Sequence, residues 1–291
     1  MRAGASYAVF VSSAAALGGF LFGFDTAIIN GTVTALRQHF AADAMQIGLA
    51  VSLALLGSAI GAFFAGQLAD RLGRVSVMLM ASLAFSLSAL GSGLPMGLVD
   101  FIAWRVLGGM AVGAASVIAP AYIAEIAPAE MRGRLGTLQQ LAIVVGIFIA
   151  LLSNYLIAQS AGSASYRWLL GMEAWRWMFW SELPAALLYG LMALSLPESP
   201  RYLVARGRED EAAFVMERVG AAESVASIRE TVLSERRPRL SDLRGGSFGI
   251  VAIVWIGIGL SVLQQFVGIN VIFYYSSVLW RAVGFSEGSA L

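Results

Sequence analysis

Seven runs of apolar residues, near 7–31, 46–69, 75–94, 98–125, 135–158, 175–196 and 248–280, punctuate the 291-residue chain. Each is close to the roughly 20 residues that carry a helix across a bilayer. Hydrocarbon offers no partner for an unpaired backbone amide, so runs of this length and character predict an all-α integral membrane protein. Composition agrees, with 58% hydrophobic residues, 13% charged residues and a mean hydropathy of +0.77.

What lies between the runs narrows the function class. Lys+Arg 19 against Asp+Glu 18 leaves a net charge of +1, and the basic residues sit in loops rather than on one exposed face, which argues against a nucleic-acid partner. With Cys 0 and His 1 there is no thiolate or histidine cluster for a metal. No nucleophile–base constellation and no phosphate-cradling glycine loop is present, so neither an enzyme nor a cofactor is expected. A seven-span receptor is disfavoured too: all 19 basic residues are arginine, which leaves no lysine for a retinal Schiff base.

Orientation follows from the arginines, because basic loops stay cytoplasmic. Arg71 and Arg74 follow span two, Arg132 and Arg134 follow span four, and Arg201, Arg206, Arg208, Arg218, Arg229, Arg236, Arg237, Arg239 and Arg244 lie between spans six and seven; the opposite loops offer Arg37 and Arg167. The N-terminus is therefore expected in the cytoplasm of a multi-pass protein of the cell (inner or plasma) membrane. Residues 197–246 read as a cytoplasmic helical linker. Ala212, Val215, Met216 and Val219 recur at helical spacing, with Glu209, Asp210 and Glu211 in the first turn, Arg218 in the last and Gly220 beyond it. Val225, Ile228 and Val232 suggest a second, shorter helix. Three regions result: a six-helix transmembrane bundle over 1–196, the linker over 197–246, and span seven with its flanks over 247–291. Within the spans, Gly57, Gly61 and Ala65 form one small-residue face and Gly109 and Gly113 another, as close helix packing requires.

An ionised group in hydrocarbon costs a few kcal/mol on insertion scales, so a charge within a span needs a partner. Asp25 is the only charged residue between Tyr7 and Gly31, and Arg105 lies in span four. Counting about 1.5 Å per residue along each helix puts both about 9 Å from the same membrane face. A carboxylate beside a guanidinium stays ionised, and loses that preference when the guanidinium leaves, which makes a proton switch. A static pair pinning spans one and four is the alternative. Glu125, near a span end, fits a cytoplasmic ion-pair cluster, whereas no partner is assignable to Glu182. His39 falls in a loop on the opposite side and carries no assigned role.

The strings GGFLFGFDTAIING at 18–31, GQLADRLGR at 66–74, RVLGGMAVG at 105–113, AEIAPAEMRGRLG at 124–136, PESPRYL at 197–203 and QQFVGINVIFYYS at 264–276 resemble, in order and spacing, the sugar porter family of the major facilitator superfamily. The resemblance implies two six-helix halves around a midplane sugar cavity, with alternating access by rocking. The chain supplies the N-terminal half, the linker and span seven of such a 12-helix fold, so it is expected to be a fragment that needs a C-terminal six-helix half to work.

By the same resemblance, Asp25 with Arg105 is the proton-coupling pair. Gln140, Gln264, Gln265 and Asn270 are sugar-binding amides, and Phe22, Tyr274 and Tyr275 are the aromatics that cover the sugar's C–H faces. An amide offers both donor and acceptor to vicinal hydroxyls. A second span-five amide of related symporters is Ile147 here, which leaves the sugar open. On straight helices Gln140 falls toward the inner side and Gln264 toward the outer side; tilt, or a break near Gly268, would reconcile them. Asp70, Arg71 and Arg74, with Gly73 at the turn, match the superfamily's loop motif. Glu125, Arg132, Arg134, Glu198 and Arg201 match its inner gate. The implied activity is symport of a monosaccharide, hexose or pentose, with a proton, with facilitative uniport or a non-transporting sugar sensor as the alternatives.

Overall fold

The computed structural model describes residues 2–221, 225–234, 245 and 251–285. Arg236, Arg237, Arg239, Arg244 and the start of the expected seventh span lie outside the described residues. The described chain is helical, and its one strand-like feature is an isolated bridge between Arg167 and Glu173. Helices α1 (Arg2–Ile28), α3 (Ala44–Leu72), α4 (Arg74–Gly93), α5 (Leu98–Ile126) and α6 (Arg132–Ala161) supply spans one to five. Among the described residues, seven stretches are long and apolar enough to cross a membrane, the sixth over Ala174–Leu194 and the seventh over Ala252–Ile272. The protein is a multi-pass membrane protein. Its outward faces carry exposed Leu83, Phe148, Leu187 and Leu191, the apolar surface a bilayer requires.

Helix ends follow local chemistry. Asp43 caps α3 by accepting from Gln46 N at 2.7 Å while Gln46 Oε1 accepts from Asp43 N at 3.0 Å, a reciprocal capping box. Gly73 turns α3 into α4 with φ +94°, a conformation that glycine adopts without a Cβ clash.

Two expectations about the elements need correction, and a third is met. A 3₁₀ turn, Ile29–Gly31, closes span one, and a short helix, α2 (Val33–His39), stands where a loop was expected. Span six is two helices, α7 (Ala174–Trp180) and α8 (Leu183–Leu194), parted at Ser181 and Glu182. Span seven breaks at Gly268, φ +77°, into α12 (Ala252–Phe266) and α13 (Ile269–Ala282), the break rather than tilt alone being the alternative that is found. Hydropathy averages across the interruption in span six and cannot see it.

The linker region contains α9 (Pro200–Ala205), α10 (Glu209–Val219) and α11 (Val225–Ser234). The buried face of α10 is Ala212, Val215, Met216 and Val219, and Gly220 ends it in the left-handed conformation, both as the spacing predicts. This helix docks on the start of α1, with the Arg218 guanidinium 4.1 Å from the Tyr7 ring centroid.

Buried apolar side chains fall into two clusters. One joins α1, α4, α5 and α8 with α9 and α10 toward the arginine-rich end. The other, toward the opposite end, collects Phe24, Ile28, Leu36, Phe101, Trp175 and Phe179, with Tyr274 from α13.

Candidate functional site

Between the two clusters lies the ion pair. Arg105 Nη1 donates to Asp25 Oδ1 at 2.6 Å and Nη2 donates to Oδ2 at 2.9 Å and to the Asp25 carbonyl at 3.3 Å. Both residues are 3% exposed. The two-pronged geometry is what a planar guanidinium achieves with a carboxylate, and burial of this kind is tolerated only with such pairing. The guanidinium carbon also lies 5.6 Å from the Phe179 ring centroid. Glu182, at the break in span six, is fully buried, and neither of its carboxylate oxygens has a hydrogen-bond partner among the described residues. It is close enough to Asp25 and Arg105 to interact with both charges.

The pair opens onto a cavity of about 460 Å³. Spans one and four contribute Phe22, Asp25, Thr26 and Arg105, span five contributes Gln140 and Ile147, and span seven contributes Gln264, Gln265, Asn270 and Tyr274. Gln140 and Gln264, which straight helices put at different depths, line the same cavity, and span seven breaks at Gly268 between Gln264 and Asn270. Asn270 Nδ2 donates to Gln265 Oε1 at 2.6 Å across that break, which fixes which amide end each residue presents. Tyr275 does not line the cavity; it is half-buried, with its hydroxyl near Gly48 of α3. Adjacent residues on a helix point about 100° apart, and here Tyr274 takes the cavity side while Tyr275 turns toward α3.

At the arginine-rich end, Arg74 is the hub. Its Nε and Nη2 donate to Glu125 Oε2 and Oε1, each at 3.0 Å, and Nη2 lies 3.2 Å from Asp70 Oδ1. Glu198 Oε1 accepts from Arg74 N at 2.9 Å and Oε2 from Val75 N at 3.3 Å. Arg71 contributes its carbonyl, which accepts from the Tyr202 hydroxyl at 3.4 Å and from Arg206. Arg132 shares a small crevice with Glu125, Arg201 is half-buried on α9, and Arg134 is exposed.

Residues 11–291 match the family described as sugar (and other) transporter. The chain belongs to that family. It is 61% identical over 293 residues to a glucose transport protein of Synechocystis sp., covering 99% of this chain and 63% of the relative. It is 37% identical over 313 residues to a D-xylose-proton symporter of Escherichia coli, covering 98% of this chain and 63% of the relative. Among solved structures, the major facilitator superfamily proton:xylose symporter XylE bound to 6-bromo-6-deoxy-D-glucose superposes with TM-score 0.85 at 35% identity, over 98% of this chain and 65% of that one. The inward-open xylose transporter XylE from E. coli superposes with TM-score 0.76, over 91% of this chain and 63% of that one. The chain thus spans about 63% of the length of these curated relatives, and its described part is a partial major facilitator fold.

Membership in the sugar transporter family frames residues that sequence reasoning passed over. Asn30, at the end of span one, joins α13: its Nδ2 donates to Ser276 Oγ at 2.6 Å, its Oδ1 accepts from Ser277 N at 3.1 Å, and its carbonyl accepts from Ser277 Oγ at 2.7 Å. Its side chain is buried polar surface in an apolar string, a signal available in the sequence but without an indication of partner. Thr26 in the cavity wall sits one residue past Asp25 and was hidden by the more conspicuous charge. Glu182 was singled out by its depth, yet its neighbours come from spans one and four, which sequence proximity cannot reveal.

Proposed function

We propose that this chain supplies the first half, the cytoplasmic linker and the seventh span of a monosaccharide–proton symporter of the cell membrane, with 1–196 as the N-terminal bundle, 197–246 as the linker and 247–291 opening the second bundle. The arginine-rich end faces the cytoplasm, as the loop arginines indicate. The observation that carries the reading is a buried carboxylate–guanidinium pair forming part of the wall of a sugar-sized, amide-lined cavity.

In this reading Gln140, Gln264, Gln265 and Asn270 bind the hydroxyls, while Phe22 and Tyr274 cover the ring's C–H faces; Tyr275 packs toward α3 near Gly48. Asp25 in its proton-free form holds Arg105. When Asp25 takes a proton, the bidentate contact is lost and Arg105 turns toward Phe179 and Glu182, its remaining neighbours. That exchange releases span one from span four as the halves rock. The Arg74–Glu125–Asp70 cluster with Glu198 holds the cytoplasmic end shut in the other phase, with Arg71, Arg132, Arg134 and Arg201 at its margin. Arginine forks suit contacts that must form and break repeatedly.

The test is Asp25→Asn in the complete protein. Counterflow of labelled sugar is expected to persist while accumulation driven by a pH gradient is lost; undiminished accumulation removes the proton role. A facilitative uniporter is the second reading, in keeping with the 61% identical relative, a glucose transport protein. Absence of any pH-driven accumulation by the native protein selects it. Absence of counterflow selects a sugar sensor.

A further inference from the structure

The single histidine of the chain sits in a closed cluster at the end of the bundle opposite the arginine-rich one. Three elements meet there. His39 ends α2, Glu173 and Arg176 flank the start of α7, and Gly93 ends α4. His39 Nδ1 lies 2.9 Å from Glu173 Oε1, and Arg176 Nη2 lies 3.3 Å from His39 Nε2. Arg176 Nε donates to Glu173 Oε2 at 2.9 Å and Nη1 donates to the Gly93 carbonyl at 2.8 Å. The His39 ring rests on Phe40 and Trp175, at centroid distances of 4.9 and 5.2 Å, and Arg176 stacks 4.5 Å over Trp175.

The protonation state follows from what each neighbour can do. A carboxylate only accepts, so the hydrogen between His39 and Glu173 belongs to Nδ1. A guanidinium only donates, so Nε2 must accept from Arg176. Both contacts are satisfied together by the neutral ring carrying Nδ1–H. A second proton on Nε2 would set donor against donor and cation against cation at 3.3 Å. Glu173 and Arg176 are the charged groups facing the ring among the described residues; Arg37 on α2 is exposed, and α4 presents only the Gly93 carbonyl.

The cluster is joined by contacts to the buried ion pair and to α13. Contacts run from His39 to Trp175, from Trp175 to Phe179 at 6.3 Å, and from Phe179 to Arg105. Helix α2 also packs against α13, and Leu36 shares a buried cluster with Tyr274. We propose that His39, Glu173 and Arg176 form a proton-sensitive latch that fastens α2 across the ends of α4 and α7, and that a proton gained by His39 releases the Arg176 contact and loosens α2 against α13. The latch is distinct from Asp25 and does not rest on the transport reading.

Hydrogen–deuterium exchange of residues 33–39 in the purified full-length protein, compared with His39→Gln at the same pH, tests it. Glutamine offers an amide N–H to Glu173 and an amide oxygen to Arg176 but gains no proton, so it locks the latch. Equal exchange is expected at pH 8, with the native segment roughly fivefold faster than the variant at pH 5, about what one hydrogen bond protects. Equal exchange at both values overturns the proposal. Ring-nitrogen chemical shifts of His39 in the native protein give an independent reading: the Nδ1–H neutral form at pH 8 is expected, and an Nε2–H or doubly protonated ring there overturns it.

Discussion

Glu198 supplies from a distant element what an N-cap residue ordinarily supplies from within its own helix. Helix α4 starts after Gly73, which has no side chain to cap with, and the backbone N–H groups of Arg74 and Val75 are instead accepted by the Glu198 carboxylate. Glu198→Ala is therefore expected to lower stability by about 1–2 kcal/mol, with Glu198→Gln intermediate, read as thermal unfolding midpoints in detergent. The sequence marks Glu198 as a charge in a gate motif. Its capping role depends on the fold bringing residue 198 to residue 74, and no local spacing encodes that. Glu173 provides the pH dependence at this scale. Burial disfavours its charge, but hydrogen bonds from Arg176 and His39 outweigh burial and hold its carboxyl below the usual range. A lowered folded-state value stabilises above the ordinary carboxylate range and is lost as pH falls through it. The difference in unfolding midpoint between native protein and Glu173→Gln should thus be full at pH 7, shrink as pH falls below the ordinary carboxylate range and vanish only once pH has fallen through the lowered folded-state value.

Helix packing was the most legible layer. Gly57 and Gly61 on α3 lie against the carbonyls of Val106 and Met110 on α5, while Gly109 and Gly113 on α5 lie against the carbonyls of Ala54 and Ser58 on α3. The stripes read from sequence are thus the two faces of one interface, each helix using its glycines to admit the other's backbone. A leucine at Gly109 would have to displace main chain rather than a flexible side chain. Gly109→Leu is expected to cost about 1–3 kcal/mol or more and to abolish a monodisperse peak on size-exclusion chromatography, whereas Gly66→Leu, which faces open space, should leave it intact. Breaks inside elements were legible only in part. Gly268 is one of 32 glycines, and it stands out as a candidate break only because Gln140 and Gln264 sit at different depths on straight helices. The interruption at Ser181 and Glu182 raised no such conflict, and the residues on both sides keep an apolar average.

At the scale of the molecule, span one is tied to its neighbours by a junction unlike the Arg74 cluster. Arg74 gathers carboxylates at one end, while toward the other Asn30 joins span one to α13 by three neutral hydrogen bonds. If the protein works as proposed, rocking between outward- and inward-open states would have to break the one as it forms the other. A cysteine pair, Asn30→Cys with Ser277→Cys, meets no competing thiol in this sequence. Cross-linking it in the complete protein is expected to block sugar uptake, with recovery on reduction; full uptake by the cross-linked protein would show that this contact need not open. The ion pair at this scale was legible from depth alone, because opposite charges the same distance into hydrocarbon have few partners besides each other. The Asn30 junction was not, since neutral polar residues occur in spans for many reasons and carry no sign to match.

The broken seventh span has one further consequence. Its second segment, α13, is anchored to span one through Ser276 and Ser277. Gln265 and Asn270 reach across the joint and clasp each other. A guest held by the ends left free, Gln265 Nε2 and Asn270 Oδ1, would be gripped from both sides of the elbow at once, so that occupancy would stiffen the bend.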